Sequence, residues 1–193
     1  SYFQYKMQPM GYEYDLINDF AKSQGLKLNI KVAENPARLI EMLEAGEVDV
    51  VAYPIPINNK LKQEVIYCGR EDISSQVLIQ RANKGDKLLT DVTQLIDKNV
   101  YVKPNTKYSE RLKNLDEELG GGIHIQKVEN DSIATEDLIE MVSLGEIPYT
   151  ISDDNTARLN KTYYWNINVD LKVSFPQRSS WVVRKSSPDL AKA

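Results

Sequence analysis

The sequence contains one short pattern twice, and this repetition constrains the fold more than any other feature. Residues 39–51 and residues 138–150 both begin Leu-Ile-Glu-Met, continue to a Gly-Glu pair and end in a short, mainly apolar run. Each copy predicts an amphipathic helix, a stop at Gly46 or Gly145, and a buried strand. A unit used twice at this distance suggests two similar α/β lobes, and clefts between lobes commonly bind small ligands. The alternative is that a helix, a glycine and a strand in succession are simply a common local arrangement in α/β proteins.

Length and charge argue against several classes of function. The chain has 193 residues, enough for one large domain or two small ones. Its 24 Lys and Arg residues against 28 Asp and Glu give a net charge of -4, whereas nucleic-acid-binding proteins usually present a basic face. No apolar run approaches the roughly 18 residues of a membrane-spanning helix. The single cysteine, Cys68, allows neither an internal disulfide nor a CxxC motif.

Helical and strand patterns alternate in the first part of the chain. Residues 14–24 predict a helix, and the alternating residues 26–32 predict a strand. Asn35 is the expected cap of a second helix because proline follows it. Residues 48–53 predict a buried strand, which ends where residues 54–56 bring two prolines that cannot extend a central strand. This alternation predicts a mostly parallel sheet.

The second part of the chain continues in the same way. Residues 104–106 predict a turn and helix cap before a charged helix over 108–119, which three glycines end. Further strands are expected at residues 77–79, 100–102, 123–128, 169–173 and 181–183.

Catalytic motifs are sparse. His124 is the only histidine, and it lies in a short alternating strand without a nearby nucleophile motif, so a structural or exposed role is expected. Cys68 follows an apolar run and is interpreted as an inert, half-buried thiol. Asp153 and Asp154 end a predicted strand, where ligands bind in α/β sheets. For Asp154 a helix cap is the favoured role. We expect no cofactor and no metal.

Tyrosines crowd the N-terminus. Tyr2, Tyr5, Tyr12 and Tyr14 all fall within the first 14 residues of a chain with 11 Tyr and 3 Phe. Tyrosine combines apolar area with a hydroxyl, which suits a hydrated recognition surface. Packing at the edge of a lobe is the equally favoured alternative.

Four segments together resemble a known family. They occur in order at residues 11–16, 45–50, 76–79 and 181–185. In that order they resemble the bacterial extracellular solute-binding proteins for polar amino acids. More narrowly, residues 147–153 followed by Leu159-Asn160 and residues 181–190 resemble the N-terminal module of the membrane-bound lytic murein transglycosylase F family. In that family the module precedes a lysozyme-like catalytic domain.

The resemblance implies an α/β, two-lobed, periplasmic-binding-protein-like fold of type II, each lobe a mostly parallel sheet flanked by helices. Lobe one is expected to comprise residues 1–76 plus 182–193, and lobe two residues 77–181, inserted between them. Little room precedes Gly11 for the family's first strand, so lobe one is expected to lack it.

The resemblance also implies a site. The family's acidic residue for the ligand's amino group falls on Asp153, where a carboxylate is suited to bind an ammonium. The helix N-terminus that offers backbone N–H groups to a carboxylate falls on Asn105 and Thr106. The expected ligand-binding residues are Asp153, Asn105, Thr106, Tyr53, Pro54, Asn58, Arg38 and Tyr5.

On lobe one the family pattern fails. Leu61 stands where the family has the arginine that binds the α-carboxylate, and Pro56 replaces the first threonine. Loss of a charged hydrogen bond of about 1.5–3 kcal/mol predicts at least severalfold weaker binding of a free amino acid. Arg38, Lys60 and Lys62 are the candidate substitutes.

The leading hypothesis is a periplasmic module that senses a peptidoglycan-derived peptide or amino acid. It is expected to be a monomer, to regulate a C-terminal transglycosylase domain and to be anchored with it at the outer membrane. The alternatives are an amino-acid receptor of an importer, an enzyme on the same scaffold such as a dehydratase, and the effector domain of a transcription regulator. The dehydratase needs an acid–base pair, for which Asp153 is the only ready candidate.

Overall fold

The computed structural model describes residues 3–5, 8–34, 36–130 and 132–192, with the backbone alone at residues 3–5, 8–10 and 36. Asn35, the expected helix cap, and Tyr2 lie outside the described residues. The chain divides into two compact units: unit 1 comprises Ser1–Asp72 and Arg178–Ala193, and unit 2 comprises Ile73–Gln177. These boundaries fall a few residues before the predicted crossings at 76/77 and 181/182.

The elements alternate along the chain much as the patterns predict. In chain order they are β1 (Phe3–Tyr5), β2 (Gln8–Met10), α1 (Tyr12–Ser23), α2 (Pro36–Glu44), β3 (Val50–Pro56), β4 (Val65–Ser74), β5 (Gln76–Arg81), β6 (Asn99–Val102), α3 (Lys107–Glu118), β7 (His124–Lys127), α4 (Thr135–Leu144), β8 (Tyr149–Asp153), α5 (Asp154–Lys161), β9 (Ile167–Asn168), β10 (Gln177–Arg184) and α6 (Pro188–Lys192). Short 3-10 helices lie at Leu61–Gln63 and Val92–Leu95.

Unit 1 contains a three-stranded sheet in the order β3-β10-β4 and a separate β1-β2 hairpin. Its core joins Leu43 of α2 to apolar side chains of all three strands. β3 and β10 are antiparallel, so the expectation of a mostly parallel sheet does not hold here. The prediction came from helices alternating with strands that follow one another in the chain, whereas β10 joins β3 only after the chain has passed through unit 2.

Two strand predictions in unit 1 need correction. β3 continues through Pro54 to Pro56 instead of ending at Tyr53. Among the described residues β3 pairs only with β10, and an edge strand tolerates proline because one row of N–H groups lacks a partner strand. The predicted strand at 26–32 is absent, since no described strand pairs with it and Leu26 and Val32 remain 54% and 70% exposed.

Unit 2 is built on a five-stranded sheet in the order β7-β6-β8-β5-β9. β7, β6 and β8 are parallel, as predicted, and the antiparallel strands β5 and β9 complete a mixed sheet. The strand beside β5 differs from the one predicted at 169–173: its regular part, β9, lies before that range, and within the range only Lys172 forms a bridge, to Val77. The side chain of Asn168 accepts a hydrogen bond from the Asp170 N–H, and after this turn the pairing with β5 resumes one residue out of register, through hydrogen bonds of Leu171 and Val173.

Both faces of the unit 2 sheet are covered. Val77 and Ile79 of β5 point to a core shared with α4 and α5, whereas Leu78 between them points to a core shared with α3. This alternation follows from the two-residue period of a strand. The α3 face also holds Ile151 of β8.

The repeated pattern forms the predicted structure in both units. α2 precedes β3 in unit 1, and α4 precedes β8 in unit 2. Gly46 and Gly145 have φ angles of 74° and 79°, in the left-handed region that favours glycine. At Gly145 a Cβ atom would also require the guanidinium of Arg81 to move, but the left-handed φ angle is the main reason for glycine there.

Candidate functional site

The end of β8 and the start of α3 meet at one edge of the unit 2 sheet. β6 and β8 are parallel, so the connection from β6 into α3 begins at the edge where β8 ends. Asp153 lies two residues after Ile151 and therefore shares the α3 face of the sheet. Directly opposite Asp153 in the register is Gln76 of β5. Side chains opposed in this way lie side by side on one face.

Asp153 already has an ammonium partner within the chain. Lys107 Nζ lies 2.5 Å from Asp153 Oδ2, and the hydroxyl of Tyr108 donates a hydrogen bond to the same oxygen at 3.1 Å. The side chains of Lys107 and Asp153 are only 23% and 20% exposed, so this ion pair is better shielded from solvent than a surface pair. Lys107 Nζ also lies 5.5 Å from the centroid of the Tyr108 ring. The pair therefore neutralises the carboxylate that the family resemblance assigns to a ligand's amino group.

The N-terminus of α3 forms the predicted cap. Thr106 Oγ1 accepts a hydrogen bond from the Ser109 N–H at 3.2 Å, and the Thr106 N–H donates to Ser109 Oγ, also at 3.2 Å. The Thr106 N–H is thus engaged within the helix cap. Asn105 is exposed and has a φ of 56°, a left-handed turn conformation that asparagine adopts more readily than most residues.

Gln76 and Gln80 lie on the same strand, but their side chains differ in their hydrogen bonds. Both are 2% exposed. Gln80 makes two hydrogen bonds with the backbone of Leu89, each 2.8 Å long. Gln76 Oε1 is buried without a hydrogen-bond donor among the described residues. A buried acceptor without a donor costs stability, and such atoms are uncommon in folded proteins. We name Gln76, Lys107, Tyr108 and Asp153 together the Asp153 cluster.

In unit 1, several of the residues expected at the ligand site make contacts within the fold instead. Asn58 Oδ1 accepts a hydrogen bond from the Leu61 N–H at 2.8 Å, which begins the short 3-10 helix. Leu61 itself packs against the unit 1 core. Tyr67 donates a hydrogen bond to the Pro56 carbonyl oxygen at 2.7 Å. The side chain of Tyr53 is 37% exposed, whereas Pro54 is half-buried.

The cationic substitutes considered for the missing arginine are placed differently. Arg38 is paired with Glu47 at 2.6 Å and with Glu41 at 3.3 Å. The hydrogen bond to Glu47 is the main reason that the pKa of Arg38 lies above its ordinary value. Lys60 caps the 3-10 helix and Lys62 lies within it, and both are exposed. Tyr5 lies in β1, where the structure describes only its backbone.

The remaining candidates lie outside this cluster. His124 is exposed, and Cys68 is half-buried, with its thiol pKa raised by burial. Asp154 is the first residue of α5 rather than its cap; Asp153 holds the N-cap position, although its carboxylate faces Lys107 instead of the helix. Throughout the described residues, no three His, Cys, Asp or Glu side chains gather as metal ligands. None of the helices in that part of the chain has the length and apolar character to cross a membrane.

A separate depression of about 340 Å³ lies at the other end of the β5–β8 pair. Gln80, Arg81, Asp86 and Tyr149 contribute to its lining. Gln80 pairs with Tyr149 at one end of the register, whereas Gln76 pairs with Asp153 at the other. Arg81 and Asp86 form an ion pair of 3.0 Å with each other in its wall. This ion pair joins two of the charged lining residues, and the depression, which also contains Lys87, is distinct from the Asp153 cluster.

The architecture defines a class of protein. Two α/β units, one inserted in the sequence of the other, form a periplasmic-binding-protein-like fold of type II. An ancestral arginine-binding protein bound to arginine matches with a TM-score of 0.78 and 19% identity, covering 99% of this chain and 82% of that one. A putative L-cystine ABC transporter from Listeria monocytogenes matches with a TM-score of 0.77 and 21% identity, covering 99% and 80%.

The sequence comparison gives the family. The model of the bacterial extracellular solute-binding proteins, family 3, matches residues 1–193, and the chain belongs to this family. A "membrane-bound lytic murein transglycosylase F" of Desulfosudis oleivorans is 32% identical over 98% of this chain, and one of Pseudomonas fluorescens is 27% identical over 95%. The chain spans only 40% and 37% of the length of these relatives. The resemblance seen in the sequence is thereby confirmed.

Sequence reasoning placed Asp153 but missed three members of its cluster. The signal for Lys107 and Tyr108 was available, because the predicted cap at Thr106 puts both residues in the first turn of α3. Parallel β6 and β8 bring that turn to the edge where Asp153 lies. Nothing in the sequence marks Gln76, since its unsatisfied oxygen is a property of the packed structure.

Proposed function

We propose that this chain is a periplasmic ligand-binding module that senses a peptide or amino acid derived from peptidoglycan. Its role is to regulate a lytic transglycosylase domain, as the names of the longer relatives suggest. The observation that carries the proposal is this relationship over nearly the whole chain at up to 32% identity. Anchoring at the outer membrane, together with the catalytic domain, belongs to the same proposal.

The unit 1 residues favour a ligand other than a free amino acid. The family's carboxylate-binding arginine is replaced by Leu61, which is packed into the unit 1 core. Arg38 does not offer an uncommitted charge in exchange, because it holds Glu41 and Glu47. A free amino acid would therefore lose a bidentate contact, a change that typically weakens binding severalfold or more.

Regulation requires that ligand binding favour one conformation over another. In the proposed mechanism, the ligand shifts a pre-existing equilibrium between open and closed forms of the two-lobed family fold. The shift is limited by the difference in affinity between the two forms. The attached catalytic domain responds to the form that the ligand stabilises.

Calorimetric titration with N-acetylmuramyl-L-alanyl-D-isoglutamine, L-arginine, L-glutamine and L-cystine tests this proposal. We expect the muramyl peptide to bind and to stabilise the chain against unfolding, by about 2.7 kcal/mol at a hundredfold excess over Kd. Tight binding of one free amino acid, with no binding of the muramyl peptide, would contradict the proposal.

An amino-acid receptor of an importer is the second candidate. The solved structures that share the fold include an ancestral arginine-binding protein bound to arginine and a putative L-cystine ABC transporter, which favours this candidate. The two functions also predict different genes. A transglycosylase reading frame continuing past residue 193 supports the sensor, and a stop codon shortly after the last helix supports the receptor.

A further inference from the structure

The ion pair between Lys107 and Asp153 raises a question about the chemistry of the ligand. Asp153 is the residue that the family resemblance assigns to a ligand's amino group. Here its Oδ2 atom already accepts hydrogen bonds from an ammonium at 2.5 Å and from a phenol at 3.1 Å. A second ammonium at this carboxylate would face Lys107 at close range, and like charges brought together at a poorly solvated site oppose binding.

We infer that Lys107 is a specificity-determining residue that occupies the amine subsite itself, so that unit 2 selects ligands whose α-amino group is acylated. This inference rests on the proposed function. An acylated amine is a neutral amide, so it brings no charge to repel Lys107. It also retains one N–H donor and adds a carbonyl acceptor that an ammonium lacks.

Two further contacts support this selection. The Thr106 N–H is already bonded to Ser109 Oγ, so this donor is not available for the carboxylate of a free amino acid. On the same face of the sheet as Asp153, Gln76 Oε1 is an acceptor without a donor. The Asp153 cluster thus already contains the ammonium of Lys107, and its Gln76 Oε1 atom still lacks a hydrogen-bond donor among the described residues. A ligand that offers a neutral N–H group suits this cluster better than one that offers a second ammonium.

The test compares two ligands and four proteins. The ligands are N-acetylmuramyl-L-alanyl-D-isoglutamine, whose dipeptide amine is acylated, and L-alanyl-D-isoglutamine, whose amine is free. The proteins are the wild type, Lys107→Met, Lys107→Gln and the control Lys113→Met. Lys113 lies on the same helix, but its side chain is 73% exposed and its ion pair with Glu117 is 3.9 Å long. Lys107→Gln serves as a second variant, and circular dichroism checks that each protein is folded.

We expect the wild type to bind the acylated ligand at least about tenfold more tightly than the free dipeptide, since the latter brings a second cation to the cluster. Lys107→Met and Lys107→Gln release Asp153, so their affinity for the free dipeptide rises about tenfold while that for the acylated ligand changes little. Lys113→Met behaves like the wild type.

Two results would overturn the inference while leaving the proposed function intact. One is equal binding of both ligands by the wild type, and the other is no gain for the free dipeptide in either Lys107 variant. Binding of neither ligand by any of the proteins would instead reject the proposed function, and the inference with it.

Discussion

The same helix–glycine–strand pattern ends differently in the two units. In unit 1, β3 ends in prolines, and the residues that follow fold back into the core through Leu61. In unit 2, β8 ends at Asp153, whose carboxylate contacts the first turn of α3. The strands also differ in position, because β3 lies at the edge of its sheet and β8 lies between β6 and β5. The repeated pattern therefore does not decide where polar chemistry is placed; the residues at and after the end of each strand do.

The largest expected effect is a loss of stability when a buried leucine is truncated in the core of either unit. Leu43 and Leu138 occur in equivalent helices and are 0% and 1% exposed. Leu43→Ala and Leu138→Ala should each lower the free energy of unfolding by about 2–5 kcal/mol, since each leaves a cavity. If the units are independent, chemical denaturation followed by residue-specific NMR shows each variant weakening only its own unit. Equal loss in both units would mean that the two cores unfold as one.

The next largest effect is the difference in stability between replacing Gln80 and replacing Gln76 on β5 of unit 2. Gln80→Met removes a side chain that makes two backbone hydrogen bonds with Leu89, and should destabilise the chain by about 1–3 kcal/mol. Gln76→Met removes the acceptor that lacks a donor and should be neutral or slightly stabilising. Urea denaturation measures both. Equal destabilisation by the two variants would mean that Gln76 has a structural partner.

A smaller effect concerns the ion pair that distinguishes unit 2. Asp153→Asn removes the charge that faces Lys107 and should cost about 1–2 kcal/mol, because both side chains are largely shielded from water. The control Glu117→Gln breaks the exposed pair with Lys113 and should change stability by less than about 0.5 kcal/mol. No difference between the two variants in urea denaturation would show that the Asp153 pair is no stronger than a surface pair.

The smallest effect is a pKa change in unit 1. The side chain of Arg178 donates hydrogen bonds to Glu71, and these hold the pKa of Glu71 below its ordinary value. A lowered folded-state pKa stabilises the fold above the ordinary pKa of the carboxyl, and this contribution disappears as pH falls through the folded value. Arg178→Gln should raise the pKa of Glu71, as measured by NMR titration of its carboxyl carbon. An unchanged pKa would contradict this contact.

The sequence predicted the alternating architecture well because periodicity and glycine stops are local signals. β5, β6, α3 and α4 all lie where their patterns indicated. The wrong predictions concern segments whose strand structure depends on hydrogen-bonded pairing with another strand. Residues 26–32 alternate like a strand but have no described neighbour. Residues 169–173 do pair with β5, but a turn at Asn168 shifts their register by one residue and leaves only an isolated bridge at Lys172. Strand formation depends on a partner that one segment cannot reveal.

The candidate site was predictable only in part for the same reason. Asp153 and the cap at Thr106 follow from local position in the chain and from the family resemblance. That Lys107 fills the position opposite Asp153 depends on two elements far apart in sequence. Likewise, the family resemblance assigns Leu61 to the position of the arginine, whereas the packing of Leu61 against the unit 1 core appears only in the structure.

The most direct test of this account is an amide NMR titration of the chain with N-acetylmuramyl-L-alanyl-D-isoglutamine. We expect the largest shifts in unit 2 at Gln76, Lys107, Tyr108 and Asp153, at one end of the β5–β8 pair. Shifts centred on the depression at the other end, near Arg81 and Tyr149, or no shifts at a saturating concentration, would contradict it.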